Sequence, residues 1–200
     1  GLERVQAIVE GFTDNYDSTL FQNLSKYIDS KISLTNDNLY VKKILLDHIR
    51  ACCHLINDNV IPDREGRGYV LRRILRRSSR FVYKNNIKDP FLYQCAEVIC
   101  NSSMDFPELK KNLSKIVDTI KSEEQKYLKT LGKGIELIDG FLKNKSSLDA
   151  ETIFMLYDTY GFPFEITQEI AAEKNIKIDK DGYEKLMMNQ KVSARNKKSF

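Results

Sequence analysis

Tryptophan is absent from this 200-residue chain, and glycine and proline are scarce, at nine and four residues. So few turn formers cannot supply the tight turns of a β-sandwich or barrel, which makes long helices the economical reading. No apolar run approaches the ~18 residues of a spanning helix. A composition of 42% hydrophobic and 30% charged residues fits neither a disordered chain nor a membrane protein. The four cysteines, Cys52, Cys53, Cys95 and Cys100, form no C-x-x-C pair, and the start carries no secretory leader pattern. A reducing, cytoplasmic setting is therefore expected, with an organelle as the alternative. Gly1 stands where a methionine would open a complete chain, inside an amphipathic pattern, so a piece of something larger is expected. Also missing are a phosphate-binding G-x-x-x-x-G-K-[ST] loop, a dinucleotide fingerprint and a G-x-S-x-G elbow, so self-contained nucleotide or hydrolytic chemistry has no support.

Amphipathic stripes are what the chain does contain. Leu2, Val5, Val9 and Phe12 recur at helical spacing up to Gly11 and the Asp14 and Asp17 region. Ser18 can cap a second helix through Ile32, and a third runs from Asn38 to Asn57 before Asn59 and Pro62 break it. A turn spans Pro62 to Gly68. The longest element is expected from about Glu108 to Lys143, roughly 50 Å at 1.5 Å per residue. Gly132 and Gly134 inside it permit a bend or close packing. Asp149 caps a further helix that Tyr160 and Gly161 end and Pro163 restarts. A last helix covers Asp181 to Lys197, with Lys198 just beyond it, and only Ile176 to Ile178 hints at a strand.

Charge is unevenly spread. Arg64, Arg67, Arg72, Arg73, Arg76, Arg77, Arg80 and Lys84 face Glu65 alone, a net of +7 within a chain whose total is +4, so the remainder carries −3. At 100° per residue, Val70, Leu71, Ile74, Leu75, Phe81 and Val82 are expected in one arc. Arg72, Arg73, Arg76, Arg77, Arg80 and Lys84 are expected in the opposite one, with Tyr69 and Tyr83 on the basic side. An ordinary solvated face would mix signs, since like charges at i,i+4 repel by a few tenths of a kcal/mol. Arginine in preference to lysine points to a planar, bidentate acceptor such as phosphate, and nucleic acid is the natural partner. An acidic membrane is a lesser alternative.

Two smaller constellations each admit two readings. His48 and Cys52 share a helical face beside Cys53 and His54, but without the usual paired metal spacings buried side chains are the simpler account, and no metal site is expected. Asp158, in the run from Leu156 to Pro163, is either the polar end of a helix or a carboxylate that accepts from a base-edge donor such as the guanine amine. Spacing leaves both readings open.

Five blocks in order resemble the alanyl-tRNA synthetase family. They are Gly1-Leu2-Glu3-Arg4, the run from Gly11 to Asp17, Asp47-His48-Ile49-Arg50-Ala51, Glu65 to Arg77 (EGRGYVLRRILRR), and Leu156 to Pro163 (LYDTYGFP). The resemblance implies an all-α helical bundle with one long helix, the tRNA-recognition domain of a class IIa aminoacyl-tRNA synthetase. By it, residues 1–12 are the end of the aminoacylation domain (motif 3), residues 13–200 the helical recognition domain, and residues 181–200 lead toward an absent editing domain. The implied activity is ATP-dependent attachment of alanine to a tRNA with a G·U pair near the end of its acceptor stem, with ATP and Mg2+ serving the parent enzyme. Arg4 matches the family's ATP-binding arginine. The basic segment, with Arg64, Arg67, Tyr69, Arg72, Arg73, Arg76, Arg77, Arg80 and Lys84, matches the acceptor-stem surface. Asp158 matches the aspartate that reads the wobble pair. The fragment is expected to bind tRNA without catalysing, and no cofactor is expected on it. The alternative is a helical interaction module whose basic face meets an acidic protein.

One departure carries chemistry. The family pattern has asparagine two residues after the proline of the turn, where this chain has Arg64. Asparagine donates and accepts, whereas arginine only donates, so Arg64 cannot accept from a guanine amine. Altered or relaxed recognition of the identity pair is the expectation.

Overall fold

The computed structural model describes residues 1–33, 39–142 and 147–197. Asn38 and Lys143, expected at helix ends, and Lys198, expected just beyond the last helix, lie outside the described residues. The chain divides into two units, residues 1–128 and 129–200. All-α is the right class: among the described residues there are ten α-helices and two strands of two residues each.

In the first unit, α1 (Leu2–Val9), a 3-10 turn (Asn15–Asp17), α2 (Thr19–Lys31), α3 (Leu39–Asn57), α4 (Gly66–Lys84), α5 (Leu92–Ser102) and α6 (Pro107–Lys111) precede α7 (Leu113–Leu142), which belongs to this unit through Leu128. α3 is the central element and packs against α2, α4, α5 and α6. Its inward residues Leu45, Ile49, Cys52, Cys53 and Ile56 join Leu71 and Leu75 of α4 and Leu92, Cys95 and Ile99 of α5 in one core. α5 is not among the expected helices, although Leu92, Cys95, Ala96, Ile99 and Cys100 keep helical spacing and are all buried. The four cysteines are free thiols inside this core.

The family-like blocks hold the helix junctions. Gly11 ends the first helical segment at φ +78°, a conformation that glycine reaches without penalty. Ser18 is the N-cap of α2, but its hydroxyl donates to the Asn15 carbonyl at 2.7 Å, and the cap comes from Glu10, which accepts the Thr19 N–H at 2.8 Å. Asp14 accepts the Tyr16 N–H at 3.0 Å and pairs with Lys43 of α3. Arg50 donates to Glu3 at 3.3 Å and lies 5.5 Å from the Phe106 ring centroid. The apolar stripe of α1 is mostly outside: Leu2, Val5, Ile8 and Val9 are exposed and Ala7 alone is buried.

The single long helix expected from Glu108 is interrupted. Asn112 leaves helical geometry between α6 and α7, and its amide donates to Asn57 Oδ1 at 2.9 Å. α7 alone has 30 residues, about 45 Å at the standard rise.

The second unit contains α7 from Lys129, β1 (Ser147–Leu148), α8 (Ala150–Asp158), α9 (Phe164–Glu173), β2 (Lys177–Ile178) and α10 (Lys180–Lys197). The strands pair in parallel, Ser147 with Lys177 and Leu148 with Ile178, so the expected strand at Ile176 to Ile178 exists and finds its partner 30 residues earlier. Asp149 caps α8 by accepting the Thr152 N–H at 3.0 Å. Gly161 takes φ +68° and the Phe162 N–H returns to the Leu156 carbonyl at 2.9 Å, the closure anticipated for that turn. Gly134 accounts for the close packing: a Cβ there would overlap the ring of the fully buried Phe162.

Candidate nucleic-acid interface

α4 starts where 62–68 turns. Gly66 has φ +59° and Gly68 lies so near the Ile61 carbonyl and Asp63 that a Cβ would overlap both. That contact seats the loop carrying Arg64, whose backbone N–H donates to Asp63 Oδ1 at 2.6 Å. Leu71, Leu75 and Val82 face the core, as their spacing required.

The outer side differs from a simple two-arc helix. Arg76 and Arg80 are buried, 4% and 2% exposed, whereas Val70, placed above in the packed arc, is 44% exposed. For Arg76 the reason is a second neighbour, the first half of α7. Glu123 Oε1 accepts from Arg76 Nη2 at 2.6 Å and Nε at 2.7 Å, and from Arg72 Nε at 3.3 Å. The Arg76 guanidinium sits 5.0 Å from the Tyr127 ring centroid, within cation–π range. Burial pulls the Arg76 pKa down while Glu123 opposes it, so the pair is a desolvated one held by its geometry.

Arg64, Arg67 and Lys84 are exposed, and Tyr69, Arg72, Arg73, Arg77 and Tyr83 are half-buried. At 100° per residue Val70, Arg73, Arg77 and Lys84 fall together, a narrower strip than the full arginine arc. Arg4 is exposed on α1.

His48 of α3 is half-buried, with Nδ1 3.1 Å from Asp47. Burial lowers its pKa, and Arg77 and Arg73 lower it further against the pull of Asp47. Burial raises the Cys52 thiol. Among the described residues no group of three His, Cys, Asp or Glu side chains could hold a metal ion.

In the second unit Asp158 is the exposed last residue of α8, and the Gln190 amide of α10 donates to its Oδ1 at 2.9 Å. Its placement as a helix end is thus real, with a directed donor on one carboxylate oxygen.

Glu123, Tyr127 and Gln190 were not among the expected site residues. A signal for the first existed: Glu123 and Glu124 stand three and four residues after Ile120 and before Tyr127, inside an apolar stripe, where unpaired acids are rare.

A helical domain with an arginine-rich helix at its surface is the class that fold and site define. The chain belongs to a family described as tRNA synthetases class II (A), whose model matches residues 1–200. It is 40% identical over 199 residues to an alanine–tRNA ligase of Bordetella petrii, 98% of this chain and 23% of the relative. It is 41% identical over 203 residues to that of Pseudomonas fluorescens, all of this chain and 23% of the relative. For the ligase of Neisseria meningitidis serogroup C the identity is 41% over 206 residues, again all of this chain and 23% of the relative. The chain thus spans about a quarter of these relatives' length, and the resemblance to alanyl-tRNA synthetases holds along all of it. No helix among the described residues is long and apolar enough to cross a membrane.

Proposed function

We propose that this chain is the acceptor-stem-binding part of an alanine–tRNA ligase, holding the tRNA while the rest of the parent protein activates alanine with ATP and transfers it. The observation that carries the reading is the concentration of exposed Arg64, Arg67 and Lys84 and half-buried Tyr69, Arg72, Arg73 and Arg77 along and just before one helix in a chain otherwise net negative. Phosphates along a double-stranded stem match such a strip, and binding through it releases counterions. Arg76 and Arg80 support the helix from inside. Residues 1–12 are assigned to the end of the aminoacylation domain, with Arg4 toward ATP phosphate, and 13–200 to tRNA recognition. Asp158 is assigned to the identity base pair, its carboxylate accepting from the guanine amine. The cell compartment proposed is the cytoplasm.

Titration of an acceptor-stem RNA hairpin over a range of salt tests the reading. A steep fall of log K with log salt is expected, lessened by about one unit for each phosphate-contacting arginine removed. Absence of binding at low salt would favour an acidic protein partner for the basic face. ATP–pyrophosphate exchange by the chain alone is expected to be nil, and measurable exchange would refute its role as a binding part only.

A further inference from the structure

We propose that Glu123 is a positioning residue for RNA binding, dividing Arg72 and Arg76 between two jobs; this rests on the RNA-binding reading above. One carboxylate oxygen takes three guanidinium donors, but unequally. Both donors on one edge of Arg76 are consumed, at 2.6 and 2.7 Å, and its side chain is 5% exposed over the Tyr127 ring. Arg76 is thereby neutralised and withdrawn from any phosphate. Arg72 gives Glu123 only its Nε, at the longer 3.3 Å, and its side chain keeps 19% exposure. Its two Nη nitrogens, part of the fork that grips phosphate, are not taken by Glu123.

Two arginines four residues apart on a helix repel each other and, unanchored, sample many rotamers. A carboxylate buried between them removes the repulsion and fixes the Nε end of Arg72. Less side-chain freedom then remains to be lost when phosphate binds. Charge counting alone makes the opposite forecast: an acid inside a basic strip should weaken RNA binding, so its removal should strengthen it.

The full chain, titrated with a G·U-bearing acceptor-stem RNA hairpin from about 50 to 300 mM salt, separates these. Arg72→Ala is expected to reduce the log K against log salt slope by about one unit. Arg76→Met is expected to leave the slope unchanged while lowering the melting temperature. Glu123→Gln is expected to weaken binding several-fold despite the added net positive charge, and to shrink the effect of Arg72→Ala in the double variant. Glu123→Asp should recover part of the loss. Tighter binding by Glu123→Gln, or equal slope losses for Arg72→Ala and Arg76→Met, overturns the proposal while leaving RNA binding intact. Failure of the unsubstituted chain to bind overturns the RNA reading itself and this proposal with it. Arg72 is only partly buried, so its variant remains informative if a Glu123 variant unfolds.

Discussion

Glu124 caps α5 from across the core: its Oε2 accepts the Phe91 N–H at 3.0 Å and the Leu92 N–H at 2.9 Å. The local sequence offers no side-chain cap there, because the N-cap position is Phe91. Its neighbour Glu123 holds α4, so adjacent acids on α7 tie down two different helices.

Burial pushes the Glu124 carboxyl up to about 7 from an ordinary 4.5, against the pull of the two N–H donors. The folded state therefore binds this proton more strongly than the unfolded state between those two values. Stability from this group is full below pH ~4.5 and is lost as pH rises through ~7, by about 3 kcal/mol in all. Glu124→Gln keeps an acceptor for the cap without a charge. Its stability relative to wild type is expected to rise from pH 4.5 to 7 and then level off, as urea unfolding at a series of pH values will show. A pH-independent difference would refute the assignment.

Half-buried and fully buried arginines of α4 should part company. Arg73→Ala and Arg77→Ala are expected to lower the salt slope of RNA binding by about one unit each. Arg80→Ala should leave the slope alone and cost roughly 1–3 kcal/mol of stability, since it empties a buried site. Parallel salt titrations and thermal melts give both numbers for each variant.

Gly134→Ala places a methyl group where the Phe162 ring now sits. Overpacking of this kind costs about 1–3 kcal/mol. Because the residue after Gly161 anchors the turn beyond Asp158, a lower melting temperature is expected, partly restored by adding Phe162→Leu. An unchanged melting temperature in the single variant would contradict the close approach.

Arg64→Asn restores a side chain that both donates and accepts. Discrimination between hairpins bearing G·U, G·C and a displaced G·U is expected to sharpen in that variant relative to the Arg64 chain. If the Arg64 chain already shows strict preference for the usual G·U, the altered-recognition reading fails.

Much of the architecture was legible because it is local. Helix ends at Gly11, Asn59, Asp149 and Gly161 follow from residues that tolerate or supply a given backbone geometry within a few positions. The inward stripe of α4, Val70 apart, followed from 3.6-residue periodicity. The strand partner of Ile178, the Glu10 cap on α2 and the Asn112 break came from groups distant in sequence or from competing hydrogen bonds, which periodicity does not register.

The basic segment tells the same story at the level of the site. The sequence by itself determined that seven net positive charges occupy 21 residues along and just before one helix, and hence the kind of partner that strip suits. Only the tertiary structure decided which of those charges remain at the surface. A guanidinium reaches several ångströms from its helix, so whether Arg76 meets water or Glu123 depends on what lies beside α4, and that neighbour is supplied by a helix about 50 residues further along the chain.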